Sequence, residues 1–185
     1  MCAPDLALAA LPADILEVAA FGGAAGELVR LAGEAGWALP PLGRVAAAPA
    51  GLALAVRPER WLMLLAPAAR GTSAARWQEL LGTSGAVVEL SAGLAAFFLA
   101  GAPAREALRR GCRLDLSPEV FAAGSAAATQ MAQVTVTLAA LPGGLLLLTP
   151  ASTARHLREW LMHVGRAFGI AAVSDVTVAA MSRDP

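Results

Sequence analysis

The 185-residue chain contains no lysine, no tyrosine and no asparagine, so all fourteen of its basic residues are arginine. Without lysine there is no amine for a Schiff base, and without tyrosine no phenolic acid or base. Isoleucine occurs only at Ile15 and Ile170, a gap of the kind that codon bias in a GC-rich bacterial genome produces. Cysteine is limited to Cys2 and Cys112. Two thiols exclude a disulfide framework and point to a reduced, cytoplasmic setting. Charge is scarce as well. Asp, Glu, Lys and Arg make up 15% of the residues, against about 25% in ordinary soluble domains. The formal net charge is zero, which gives neither nucleic acid nor an anionic membrane surface anything to recognise. HExxH, CxxC and GxSxG are all missing, as is a glycine-rich phosphate loop ending in lysine.

Long uninterrupted apolar runs are missing too. The most apolar stretch, Val134 to Thr149, is broken by Pro142-Gly143-Gly144 and interspersed with Thr135 and Thr137, so no membrane helix is expected. The first twenty residues are apolar but lack a basic leading region, and Asp5 and Asp14 interrupt them. No signal peptide is expected.

What the chain does have is apolar mass. Hydrophobic residues form 57% of it, above the usual ~45–50%, with alanine supplying much of the excess. No charged residue occurs between Glu119 and Arg155. A stretch that long without charge is expected to be buried, against its own chain or another. So little polar surface also suggests a permanent protein partner.

Periodicity and punctuation divide the chain as follows. An N-terminal extension covers residues 1–12. A first βαββαβ unit covers 13–92, with strands at 14–21, 52–57, 61–66 and 86–90. Its helices are at 24–35, with Leu28, Leu31 and Ala35 inward, and at 72–81, with Ala74, Trp77 and Leu81 inward. A second βαββαβ unit covers 93–178, with strands at 94–100, 130–141, 145–149 and 170–178. Its first helix starts at Pro103, which suits a first helical position. Its long helix ends near Phe168, with Leu157, Trp160, Leu161, Val164 and Phe168 as the apolar stripe. Residues 179–185 form a tail. Each unit holds a long excursion after its first helix, 37–51 and 112–128. The expected fold class is therefore α+β, two split-βαβ units in tandem with helices over one face of each sheet.

Candidate chemistry is thin. Gly22, Gly23 and Gly26 follow a strand and open a helix, but Phe21 stands where a dinucleotide loop needs its first glycine. Cys112 lies beside Arg110 and Arg113, which could activate a thiol; a buried packing role is the plainer reading. His156 and His163 are two helical turns apart, about 10.5 Å, too far to share one metal ion bound at ~2.0–2.1 Å. Arg105, Arg109, Arg110 and Arg113 cluster with Glu106 and Asp115, without the aromatic interleaving of a nucleic-acid surface. Arg57-Pro58-Glu59-Arg60 reads as a charged hairpin turn with no further role. Trp37, Trp61, Trp77 and Trp160 are core residues or, where exposed, interface anchors. No catalytic, cofactor-binding or metal-binding residue is assigned.

Three phrases carry a family resemblance. Arg57-Pro58-Glu59-Arg60-Trp61-Leu62 resembles the Pro-acidic-x-Trp-Leu hairpin of the gamma subunit of heterotetrameric sarcosine oxidase. Gly111-Cys112-Arg113-Leu114-Asp115-Leu116-Ser117-Pro118 with Phe121 is similar to that family's G-C-x-L-D-L-x-P-x-x-F segment. Glu159-Trp160-Leu161 with Phe168-Gly169 resembles its last helix. Order, spacing and length agree over about residues 13 to 170. Two departures stand out. After Phe121 the family's R-C-A-x-T-x-L-A-x-V becomes Ser125 to Val134, which keeps Thr129, Ala132 and Val134 and loses the arginine. The polar, Arg-bearing strand pair near Ser91 becomes Ser91-Ala92-Gly93-Leu94-Ala95-Ala96-Phe97-Phe98-Leu99-Ala100-Gly101.

The resemblance implies a fold like that of folate-binding aminomethyltransferases, and a non-catalytic chain in a complex that oxidatively demethylates sarcosine to glycine with oxygen and tetrahydrofolate. It implies alpha, beta and delta partner subunits. FAD, FMN, NAD and tetrahydrofolate would reside in the partners, with zinc on the delta chain and no cofactor in this one. Three alternatives stand beside it. One is a subunit of a related N-methyl amino acid complex such as N-methylglutamate dehydrogenase. Another is a stand-alone folate-binding or aminomethyl-transferring domain, which needs a carboxylate at an open cleft, with Glu89 and Asp115 as candidates. The third is a chaperone-like assembly factor.

Overall fold

The structure is a computed structural model and describes residues 5–174 and 176–181. The chain divides into two compact units, Pro12–Ala92 with Thr177–Pro185, and Met1–Leu11 with Gly93–Val176.

The unit begun by Pro12 is built on a five-stranded sheet. Its strands are β2 (Asp14–Ala20), β3 (Arg44–Ala48), β4 (Gly51–Arg57), β5 (Arg60–Leu65) and β6 (Gly85–Glu89), in the order β3-β4-β5-β2-β6. Every pairing in it is antiparallel. Two helices lie on one face, α1 (Ala25–Glu34) and α2 (Thr72–Leu81). Alternate strand residues such as Leu16, Val18, Ala53 and Met63 share a core with Leu28, Ala32, Trp77 and Leu81 from the helices. These are the two spacings that a strand and a helix need to present one apolar face each. Side chains on the other sheet face, among them Ile15, Leu52, Leu54 and Leu64, are buried as well. A short helix, α5 (Val178–Met181), rests against β4 and β5. On α1 the buried residues are Leu28 and Ala32 rather than Leu28, Leu31 and Ala35. The i, i+4 pair faces the sheet, and Ala35 lies past the helix end in solvent.

The other unit is a six-stranded sheet of β1 (Leu6–Leu11), β7 (Leu94–Ala100), β8 (Ala126–Met131), β9 (Val134–Leu141), β10 (Gly144–Pro150) and β11 (Ile170–Val173). The strand order is β11-β1-β7-β10-β9-β8. Helices α3 (Ala104–Arg109) and α4 (Ala154–Gly165) cover one face, and single 3-10 turns flank α4 on either side. Leu99, Leu138 and Leu147 from the strands meet Leu108, Leu157 and Leu161 from the helices.

From β2 to β6 and from β7 to β11 the order is βαβββαβ, one strand more than expected in each case, β1 is a further strand of the six-stranded sheet, and the α+β class stands. Of the extra strands, β3 lies within the excursion 37–51, and β8 begins inside the excursion 112–128 and runs past its end. The expected strand at 130–141 is in fact the end of β8, a turn, and β9. Ala132 and Gln133 make that turn with φ of +50° and +67°, values a non-glycine residue adopts at some cost. The stretch read as an N-terminal extension contains β1, which slots between β7 and β11, antiparallel to the first and parallel to the second.

The uncharged span between Glu119 and Arg155 is accounted for by β8, β9 and β10, whose leucines are buried, Leu138, Leu145 and Leu147 in the core shared with α3 and α4. The apolar excess is mostly internal. Among the described residues the exposed large hydrophobics are Phe21, Val29, Leu42, Val88, Val120 and Val173, spread over helix, strand and loop. The low charge content therefore reflects sheets buried on both faces, not one broad external apolar face. Among the described residues no helix is long and apolar enough to cross a membrane.

Candidate functional site

A concave cleft lies in the unit begun by Pro12. Helix α1 ends at Glu34, and Gly36, at φ +81°, turns the chain back. The Trp37 amide then donates to the Ala32 carbonyl at 2.8 Å. This sets the Trp37 ring edge-on to Trp77 of α2, with centroids 5.4 Å apart and planes at 65°, a favourable aromatic geometry. Pro49 and Ala50, at the β3–β4 turn, and Leu65 to Ala68, leaving β5, complete the walls. The result is a cleft of about 510 Å³, open on one side, within the size range of small-molecule sites.

Two polar side chains reach this cleft besides its backbone. Ser73 donates to Asp14 Oδ2 at 2.5 Å, and the same oxygen accepts from the Ala68 amide at 3.3 Å. These contacts tie the first turn of α2 to the start of β2, so the hydroxyl is a brace. Arg76, one residue before Trp77, is exposed at the rim. Among the described residues it makes no ion pair or hydrogen bond. The cleft thus offers apolar walls and one uncommitted cation. Among the described residues no histidine, cysteine or carboxylate lines it.

A second constellation stands on the same sheet. Glu17 of β2 is 9% exposed, and Arg57 and Arg60 both reach its carboxylate, Arg60 Nη1 at 2.7 Å from Oε1. The two guanidiniums flank the β4–β5 turn, with Glu59 in the left-handed region at φ +55°. The turn therefore has a role that sequence reading did not assign: it neutralises a nearly buried carboxylate. Beside it, Trp61 Nε1 donates to the Pro40 carbonyl at 2.8 Å, which pins the Trp37-to-Gly43 segment.

The other candidates resolve into structural parts. Gly22 and Gly23 have positive φ and turn β2 into α1; a Cβ on either, or on Gly26, would meet nothing within 4 Å. Cys112 is half-buried, bridges to Met131 and packs on the core. Cys2 lies outside the described residues. His156 donates from Nε2 to the Ala132 carbonyl at 3.0 Å and secures the β8–β9 turn. His163 is exposed, and among the described residues no group of three metal-ligating side chains comes together.

The arginine cluster disperses into separate tasks. Arg105 Nη1 donates to the carbonyls of Leu116 and Phe121 at 2.7 and 2.9 Å. Arg109 is 3.6 Å from Glu106, and Arg110 sits 5.1 Å over the Phe168 ring. Asp115 is exposed and accepts from the Ser117 amide at 2.9 Å, which holds its carboxyl below the usual range. Glu89 is exposed on the edge strand β6. Neither carboxylate borders the cleft. Trp37, Trp61 and Trp77 are buried, and Trp160 is half-buried against the core of the other unit.

No protein-family model and no curated protein matches the chain. A chain of heterotetrameric sarcosine oxidase from Corynebacterium sp. U-96, solved in complex with pyrrole 2-carboxylate, superimposes with a TM-score of 0.78 at 25% identity, covering 94% of this chain and 90% of that one. Over nearly all of its length, the chain is built like a sarcosine oxidase subunit. This bears out the resemblance to the sarcosine oxidase gamma-subunit family drawn from the three sequence phrases. The glycine cleavage system aminomethyltransferase T from Bartonella henselae also superimposes, with a TM-score of 0.67 at 18% identity. Here 92% of this chain matches 48% of the other, so the chain spans about half the length of that protein and shares its fold.

In this sarcosine oxidase-like chain the cleft is the feature that sequence reading missed. Trp37 and Trp77 are forty residues apart, and the sequence places the first at the start of an excursion and the second on the inward face of a helix. The one local signal was a charged residue, Arg76, directly before a core tryptophan on an otherwise short amphipathic helix.

Proposed function

We propose that the chain is a gamma-type, non-catalytic subunit of a sarcosine oxidase-type complex, which oxidatively demethylates sarcosine, or a closely related N-methyl amino acid, to the parent amino acid. The observation that carries this reading is the near end-to-end structural match to one chain of the heterotetrameric enzyme. Alpha, beta and delta chains are the partners in this reading. FAD, FMN, NAD and tetrahydrofolate belong to them, and the complex is cytoplasmic. A free-standing aminomethyl-transferring role receives no support, since Glu89 and Asp115 stand apart from the cleft.

The test is reconstitution. Candidate flavin-bearing partner subunits from the same organism are expressed with and without this chain, and sarcosine-dependent oxygen consumption is measured in each. The reading expects the complete set to be active and the set lacking this chain to assemble poorly or lose activity. Equal activity and equal assembled mass in both preparations overturn it.

A further inference from the structure

We propose that the cleft between Trp37, Trp77 and the β3–β4 turn is a binding site for a small carboxylate with a flat or branched apolar body, anchored by Arg76. The inference goes beyond the subunit reading and does not depend on it.

Three observations converge. The walls are preformed: Trp37 and Trp77 are 8% and 5% exposed and hold each other edge-on, so the ligand need not order them. The space is concave, of drug-sized volume, and made by small residues, with Ala35, Ala50 and Ala66 lining it where larger side chains would fill it. The rim carries one guanidinium with no partner among the described residues. An arginine fork matches a carboxylate in shape and charge, and such a pair gains most where neighbouring apolar groups exclude water. An apolar body lying against the tryptophan pair would place its carboxylate at the rim. A dianion or a sugar is not matched, because one cation and one committed hydroxyl cannot satisfy either.

The probes are phenylacetate and its neutral isostere phenylacetamide, titrated into the full chain, or into its complex where the chain is purified that way. Binding is read by calorimetry and by tryptophan fluorescence. Phenylacetate should bind saturably and about tenfold or more tighter than phenylacetamide. Arg76→Gln should remove that preference and leave phenylacetamide unchanged. Arg113→Gln, at an exposed arginine of the other unit, should change neither. Ala66→Phe should fill the cleft and abolish both, with an unaltered thermal unfolding midpoint showing that the fold is intact. Equal binding of acid and amide, loss of preference in Arg113→Gln, or unchanged binding in Ala66→Phe overturns the proposal. So does absence of phenylacetate binding at millimolar concentration, and if Arg76→Gln then weakens assembly with a partner chain, the cleft is a subunit contact instead. Failure of reconstitution in the presence of saturable phenylacetate binding would overturn the subunit reading alone.

Discussion

Gly111 lies directly against the indole of Trp160: a Cβ at Gly111 would stand 2.5 Å from Trp160 Cζ2. One residue earlier, Arg110 covers the ring of Phe168. Two of the sequence phrases that mark the gamma family are therefore one structural feature, the exit of α3 packed on the end of α4. Their residue types follow from that contact. Glycine leaves room for the indole, and the arginine before it finds an aromatic face.

Gly111→Ala should then push the indole out of place. The expected loss is about 1–3 kcal/mol, as for other overpacked sites, read from urea unfolding with an unchanged slope. In a double-mutant cycle with Trp160→Phe the two losses should not add, since the smaller ring makes room for the methyl group. Additive losses would show that the contact is not the reason for the glycine.

The Glu17 clamp predicts a particular kind of non-additivity. Arg57 and Arg60 are 56% and 50% exposed, whereas Glu17 is 9% exposed. Removing one arginine leaves the carboxylate with the other, so Arg57→Gln or Arg60→Gln alone should cost about 1 kcal/mol or less. Removing both strands a nearly buried charge and should cost about 3 kcal/mol, more than the sum. Glu17→Leu in the doubly substituted background should recover most of that loss. Chemical denaturation of the four variants decides it.

Gln78 closes a strand edge. Its side chain accepts from the Val87 amide at 3.1 Å and donates to the carbonyls of Gly85 and Gly82 at 3.3 and 3.1 Å. A side-chain amide here stands in for the neighbouring strand that β6 lacks. Gln78→Ala should speed hydrogen exchange at Val87 and cost about 0.5–1.5 kcal/mol for the lost hydrogen bonds, whose backbone groups then turn to water. It should also promote concentration-dependent self-association. An unchanged Val87 exchange rate would contradict the role.

Asp115 titrates with a predictable sign. Its carboxyl is held below the ordinary 3.8, first by the backbone hydrogen bond from Ser117, then by the Ser117 side chain, with a smaller contribution from Arg109. Because the folded value is the lower one, the turn gains stability above the unfolded value, and the gain is lost as pH falls below 3.8 through the folded value. Carbon-detected NMR titration should find the Asp115 midpoint below that of an unstructured aspartate. In Asp115→Asn the ordering of the Ser117 amide should no longer depend on pH in that range.

Much of the fold could be read from the sequence because period and punctuation agreed. Thr72 to Leu81 is a helix with Trp77 and Leu81 inward, and Leu94 to Ala100 is a strand, as their spacings require. The misses share a cause. The β8–β9 turn is made by Ala132 and Gln133, which carry no turn signal, and the His156 hydrogen bond that steadies it comes from α4, 24 positions on. Strand β1, Leu6–Leu11, is read wrongly because alanine at Ala7, Ala9 and Ala10 blurs its alternation, and its partners, β7 and β11, are distant in the chain. Strand β3 is similarly rich in alanine. The cleft was invisible for a related reason. Its walls come from four separate segments, and an unpaired arginine can be recognised only once its neighbours are known.

The central claim is that this chain works as one subunit of a sarcosine oxidase-type flavoenzyme. It is tested most directly by purifying the tagged chain at native expression level and reading the mass and visible absorbance of what elutes. The account predicts a yellow assembly in which this chain is stoichiometric with larger flavin-bearing subunits. A colourless chain eluting alone at its own mass, under conditions in which those subunits are present, would contradict it.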